Sequence, residues 1–275
     1  MLTSNSKPLA PAEISELIVE PAFAQATAAS AATVIPFTTN ELRVPVVTDG
    51  SAAWVAEGNE IPVDEPTLAE VVVTPKKLAV VVALTNELVA DANGDITKIV
   101  GDSVTRAIAR KLDAAFWAAT TPPNGLKAIG SVTGVLTGTV AADPPNLDAF
   151  TDAVADLAAR GHTATAIAVS PNTFRKLAKM KSATGSNHAL LQPDATAPTP
   201  LQIAGLPVIV TSALADTVAY VVNSSAIVLG IRTTDVEIAV DRSAFFTSDR
   251  VALRAVLRVG TAFPAPDAIV KIAIS

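Results

Sequence analysis

Residues 44–75, VPVVTDGSAAWVAEGNEIPVDEPTLAEVVVTP, run directly into KKLAVVVALTNEL (76–88); the segment DITKIVGDSVTRAIARKLDAAFWAA (95–119) and the turn TPPNGL (121–126) follow. The first stretch is extended, acidic and punctuated by Pro and Gly. It carries six carboxylates, Asp49, Glu57, Glu60, Asp64, Glu65 and Glu70, with no Lys or Arg to match them. Trp54, Val55, Ile61, Val63 and Leu68 stand among these acids. A long hairpin of this composition cannot bury both faces in its own domain, and an isolated hairpin is marginal in water. The stretch is built to lie on another surface, which points to assembly.

The segments that follow set the frame. KKLAVVVALTNEL reads as a short apolar strand. In 95–119 Ile96, Val100, Val104, Ile108, Leu112 and Phe116 recur at i+4, with Ile99, Ala107 and Ala115 broadening the stripe. Lys98, Asp102, Arg106, Arg110 and Lys111 fall largely off it. Asp95 serves as N-cap or first-turn acid after the Asn93-Gly94 turn. Pro122-Pro123-Asn124-Gly125 ends the helix.

The order of these pieces resembles the major capsid proteins of tailed double-stranded DNA bacteriophages, which have the Hong Kong 97-like fold. The resemblance is carried by Val44-Pro45, Trp54-Val55-Ala56-Glu57-Gly58, Ile61-Pro62, Pro75-Lys76-Lys77-Leu78-Ala79 and Asn86-Glu87-Leu88. Asn124-Gly125-Leu126 and Ala204-Gly205-Leu206-Pro207-Val208 continue it. Each string alone is unspecific; their order and spacing over residues 40–275 carry the likeness. The resemblance implies an α+β chain with an N-terminal arm (1–40) and an extended loop (41–75) that reaches over a neighbouring subunit. It implies a peripheral domain (76–125 and 236–275) with a spine helix at 95–118, and an axial domain (126–235).

Composition bounds the rest. A chain of 275 residues can bury a substantial core. Half its residues are apolar but only 4% are aromatic, so many small side chains must fill that core. Without cysteine there is no disulfide, thiolate metal site or Cys nucleophile, which fits a reducing cytoplasm. Only His162 and His188 are left for imidazole chemistry. The net charge of −6 argues against tight, direct DNA binding, which needs clustered cations. It suits either a shell wall that repels an enclosed duplex or ordinary solubility. The N-terminus lacks an apolar h-region and a cleavage motif, and the longest apolar run, Leu78 to Leu84, is too short to span a bilayer. The expectation is a soluble, unsecreted protein.

Elsewhere, residues 1–40 open with a short helix (PAEISELIVE) and continue as an arm ordered by what it touches, or as a frayed terminus. Residues 146–182 read as helix, strand, helix. Leu147, Phe150, Val154 and Leu157 share one face, with Gly161 as C-terminal cap. ATAIAVS (164–170) is a small buried strand, and Ser170 caps a helix that begins at Pro171, with Phe174 and Leu177 inward. The 182–200 stretch reads as a loop. From Leu206 the pattern is mostly β: LPVIVTS, VAYVVNS, AIVLGIR, VEIAVDR, ALRAVLRVGTAF and AIVKIAIS are short strands. Helices interleaved with strands in this irregular order argue for α+β.

Arg250, Arg254 and Arg258 lie four apart in a period-two segment, which puts all three on one strand face with the aliphatic residues on the other. They form either a basic ladder for a neighbour's acidic loop or a solvent face with ion pairs inside the subunit. The candidate contact residues are therefore Trp54, Glu57, Glu60, Ile61, Asp64, Glu65, Arg250, Arg254 and Arg258. Some capsids of the family cross-link a loop lysine to an asparagine. Residues 44–75 hold no lysine, and Ile61 stands roughly where it would fall, so no such bond is expected. Nor is a long N-terminal scaffolding region, since about forty residues precede the loop; a separate scaffolding protein is the natural substitute.

Motifs for a nucleophile elbow, a phosphate loop, a zinc helix or a dinucleotide fold are missing. Asp91-Ala92-Asn93-Gly94-Asp95 only faintly resembles a calcium loop, because the later acidic ligands are missing. His188 either lines an opening at a symmetry axis or is a solvated loop residue. The expected protein is a noncatalytic major capsid protein without cofactor or metal. It would form hexamers and pentamers of an icosahedral head that encloses double-stranded DNA without sequence-specific binding. Scaffolding, portal and decoration proteins are the expected partners, assembly takes place in the host cytoplasm, and no membrane is involved. An encapsulin-like nanocompartment shell protein shares the fold, and a soluble α+β enzyme is the rival from another class.

Overall fold

A computed structural model describes residues 20–48, 54–60, 63, 67–87, 95–129, 136–140, 147–181, 186, 190–191 and 201–274. In chain order the elements are α1 (Glu20–Gln25), α2 (Thr27–Ala31), β1 (Thr33–Phe37), β2 (Leu42–Thr48), β3 (Thr67–Val73), β4 (Lys76–Thr85) and α3 (Asp95–Ala118). They continue with α4 (Leu126–Ile129), β5 (Leu136–Val140), α5 (Asp148–Ala159), β6 (Ala166–Val169), α6 (Pro171–Ala178) and β7 (Gln202–Ile203). The last are β8 (Leu206–Val210), β9 (Val218–Val222), β10 (Val228–Phe245), β11 (Arg250–Ala262) and β12 (Ile269–Ile274).

The strands make three sheets: four strands in the order β1-β10-β11-β4, six in the order β5-β12-β9-β6-β8-β7, and the hairpin β2-β3. The long helix α3 covers one face of the four-stranded sheet. Val104, Ile108, Leu112 and Phe116 are buried as the i+4 spacing predicts, against Leu229 and Ile231 of β10 and Leu257 and Val259 of β11. Leu78, Val80 and Val82 of β4 pack on the same cluster. Ile96, Ile99 and Val100 fall in the opening turns of α3, where only the backbone is described.

The stripe is broader than expected, and on its other flank. Thr105, Ala109 and Trp117 are buried, whereas Ala107 is exposed and Ala115 half-buried. The reason is a second layer: α1 and α2 lie along α3, with Ala22, Ala26, Ala28 and Ala31 buried against it. Small side chains let the backbones approach closely. Asp113 of α3 then caps α2 from outside, its carboxylate accepting the Thr27 N–H at 3.2 Å and the Ala28 N–H at 2.9 Å. Ala26, at the N-cap position, supplies no side-chain bond of its own, so the negative charge of Asp113 answers both the open N–H groups and the helix dipole. Trp117 Nε1 donates to Thr27 Oγ1 at 3.0 Å.

The six-stranded sheet is covered on both faces, which is why β6 is buried at every position. Ala166, Ala168, Tyr220, Val222 and Ile269 face the α3 core; Ile167, Val169, Val221, Val270 and Ile272 face a second core with Phe150 and Leu157 of α5 and Leu177 of α6. Two caps fall where the sequence put them. Gly161 takes φ 81°, and the N–H groups of His162 and Gly161 bond back to Leu157 O at 2.9 Å and Ala158 O at 3.0 Å, the paired closure that glycine makes possible. Ser170 Oγ accepts the Thr173 N–H at 3.2 Å, with Pro171 in the first turn.

The structure differs from expectation at three points. AIVLGIR and VEIAVDR are one strand, β10, whose register shifts between Arg232 and Glu237 and again between Asp241 and Phe245; these irregularities look like breaks in a linear pattern. TVIPF (33–37), expected within the arm, forms β1 and pairs in parallel with β10. β12, grouped by expectation with the spine-helix sheet, pairs instead with β5 and β9 in the six-stranded sheet. Most of the PAEISELIVE helix, the Asp91–Asp95 turn apart from Asp95, and His188 lie outside the described residues. Asp95 is the first residue of α3.

Candidate assembly interface

The extended segment is a hairpin, β2 pairing with β3 from Leu42↔Val73 to Thr48↔Thr67. Its root is fixed to its own subunit. Val73 is buried with Val228 and Ala262, and Leu42, Val44 and Val71 pack on that cluster. Gly260 of β11 makes this seat possible, because a Cβ there would lie 2.5 Å from Val73 Cγ1 and 3.3 Å from the Pro75 Cα.

Away from the root the hairpin has little to cover it. Val47 and Leu68 are cross-strand partners, and both are exposed, Leu68 at 74%. Farther out Trp54 is 105% exposed and Val63 91%, with Glu57 and Glu60 also in solvent. Large apolar side chains left in solvent along one hairpin point to a contact site. The acid balance is slightly different from the sequence count, because Arg43, one residue before the segment, pairs with Glu70 at 3.0 Å. Ile61, Asp64 and Glu65 lie outside the described residues.

Arg250, Arg254 and Arg258 do share one face of β11, opposite the face of Leu253, Ala255, Leu257 and Val259 that packs on the α3 core. Register supplies neighbours that spacing alone could not. Arg254 lies between Ala239 of β10 and Val81 of β4, and Arg258 between Arg232 and Lys77. Ala79, Val81 and Ala83 of β4 are exposed on this side. The surface is thus an aliphatic strip flanked by Lys77, Arg232 and the three arginines. Arg254 Nη2 donates to Glu237 Oε1 of the same chain at 2.9 Å. Asp241 is also nearby, its carboxyl held below the usual range by hydrogen bonds from the Ser243 side chain and backbone, and to a smaller degree by Arg254. Sequence spacing does not reveal Glu237, Arg232 and Lys77 as neighbours of this face, because only strand register brings them here.

Nothing in this arrangement resembles a reaction centre. Among the described residues no group of three or more His, Cys, Asp or Glu side chains could hold a metal ion, and no helix is long and apolar enough to cross a membrane. A long helix on a four-stranded sheet, a second sheet beside it and a projecting hairpin together define the Hong Kong 97-like capsid fold. Solved structures share it. The Microbacterium phage Oxtober96 structure matches at TM-score 0.74 with 19% identity, covering 91% of each chain. The capsid of an empty GTA particle computed with C5 symmetry matches at 0.75 with 20% identity, over 91% of this chain and 90% of that one. Mycobacterium phage Bobi matches at 0.70 with 19% identity, over 91% and 90%. No curated protein matches the sequence. Residues 7–274 match the Phage capsid family, and the chain belongs to that family. It is a structural protein that self-assembles into a capsid, and its place is the capsid of the virion.

Proposed function

We propose that the chain is the major capsid protein of an icosahedral head, built from its hexamers and pentamers around double-stranded DNA. The observation that carries this reading is the hairpin, seated at its root on Gly260 and exposed and apolar at Val47, Leu68, Val63 and Trp54. One copy's Trp54, Glu57, Glu60, Ile61, Asp64 and Glu65 then meet a neighbour's Arg250, Arg254 and Arg258, with the aliphatic strip of β4 beneath. Guanidinium–carboxylate pairs set register and orientation in such contacts more than they add affinity. The net charge of −6 supports an enclosed duplex held without sequence-specific contacts. Assembly takes place in the host cytoplasm, with separate scaffolding, portal and decoration proteins as partners.

Sedimentation and electron microscopy of the purified chain test the reading. Large closed shells that fill with DNA in the infected or induced host are the expected outcome. Small shells filled with protein cargo would make it a nanocompartment protein instead, and a stable 28.1 kDa monomer under assembly conditions would overturn the reading altogether. Trp54→Ala is expected to reduce shell yield while leaving the subunit's unfolding transition unchanged.

A further inference from the structure

Beside the last turn of α3 lies a cavity of about 230 Å³. Trp117, Leu214 and Val218 supply apolar wall, and Tyr220, Lys127 and Lys271 supply the polar groups. Lys271 of β12 and Tyr220 of β9 are cross-strand partners, so their side chains leave the sheet on the same face. Lys127 comes from the last turn of α4.

Among the described residues these polar groups lack counterparts. Tyr220 is 2% exposed, and its hydroxyl has no hydrogen-bond partner among the described residues. Neither lysine has an ion-pair partner among them. Acids on the neighbouring elements are already engaged. Asp216 accepts from Ser170 Oγ at 2.6 Å and Asn172 Nδ2 at 2.7 Å, Asp113 caps α2, and Asp267 meets His162 at 3.1 Å. The indole N–H of Trp117 is spent on Thr27, so the ring offers the cavity only apolar surface. Buried hydroxyls are almost always paired, and an unpaired one calls for an explanation.

We propose that this cavity binds a carboxylate carried on a short apolar body. Lys271 and Lys127 supply the counter-charge, the Tyr220 hydroxyl donates to a carboxylate oxygen, and Trp117, Leu214 and Val218 cover the hydrocarbon. Burial pushes the Tyr220 phenol up to about 12, so it keeps its proton and remains a donor throughout the neutral range. The volume falls below the roughly 300–1,000 Å³ of sites for drug-sized ligands, which limits the guest to side-chain size. A free short-chain acid and a Glu or Asp side chain of a second copy share this chemistry. The inference does not depend on how the hairpin docks.

The chain has two tryptophans, so Trp54→Phe leaves Trp117 as the sole indole, set in the cavity wall. Acetate, propionate and butyrate are titrated into this variant as dissociated subunits. The expected result is a saturable change in Trp117 emission that tightens about fourfold per added methylene. Tyr220→Phe and Lys271→Met should each weaken butyrate binding at least tenfold. Lys127→Met, at an exposed position, repeats the test where the fold is not at risk. In assembled shells a retained butyrate response assigns the site to a free acid. Emission already at the bound value and indifferent to butyrate assigns it to a neighbour's carboxylate. No saturable response, a response unchanged in all three substitutions, or inorganic phosphate binding as tightly as butyrate would overturn the proposal.

Discussion

Tyr220 and Asp113 show how single side chains tie this subunit together. Tyr220 is the chain's one tyrosine, so phenolate absorbance reports on it alone. Burial raises its pKa from the ordinary 10 to about 12. Its folded-state value lies above its unfolded one, so the stability it contributes is complete below pH 10 and lost as pH rises through 12. That loss amounts to at most about 2–3 kcal/mol. Denaturant titrations between pH 9 and 12 should show it, and Tyr220→Phe should remove that part of the alkaline slope. Asp113 holds α2 through two backbone N–H groups. Asp113→Ala leaves both unanswered and should cost about 1–2 kcal/mol. It should also speed proteolytic cleavage within residues 20–31 while cleavage of α5 stays unchanged.

At the scale of elements, α3 and the four-stranded sheet carry the subunit. Leu112 is buried in the core that α3 shares with β11, β4 and the two small N-terminal helices. Leu112→Ala should therefore destabilise by about 2–5 kcal/mol, the usual cost of a core cavity, read from the urea midpoint at an unchanged slope. The i+4 periodicity of this helix was legible in the sequence, because one amphipathic stripe needs only the 3.6-residue period. Its second buried flank, at Thr105, Ala109 and Trp117, was not. Which side of a helix is doubly covered depends on where α1 and α2 return, and alanine-rich segments carry no periodic signal to announce it. The sequence of β10 reads as two strands for a similar reason. A register irregularity changes the facing of residues without ending the strand.

At the scale of the whole molecule a hairpin is seated on the two-sheet body of the subunit, and the predictions concern the shell. Arg254 already pairs with Glu237 of its own chain, and both groups are well exposed, so that pair adds little stability. Arg254→Glu would set two acids side by side and remove a cation from the face proposed to receive the loop. Each lost contact is small, about 0–1 kcal/mol, but a shell repeats it many times. Assembly yield and its salt dependence should fall while subunit unfolding shifts little; an unchanged yield would reduce the arginine face to a solvated surface. Particles boiled in detergent should run as a single monomer band, since residues 44–75 hold no lysine to form an isopeptide bond.

What the sequence determined by itself is what local chemistry and one-dimensional order can carry. That covers the acidic apolar hairpin, the α3 stripe, the caps at Gly161 and Ser170, the arginine face of β11 and the order of motifs that resembles the capsid family. Each depends on spacing within one element or on succession along the chain. Only the tertiary structure decided that β12 joins β5 and β9, that Asp113 caps a helix 85 residues away, and that Glu237 meets Arg254. It alone set Lys271 beside Tyr220 at a cavity. These are pairings between distant segments, fixed by strand register and by the packing of two layers. No periodicity within a single segment encodes them.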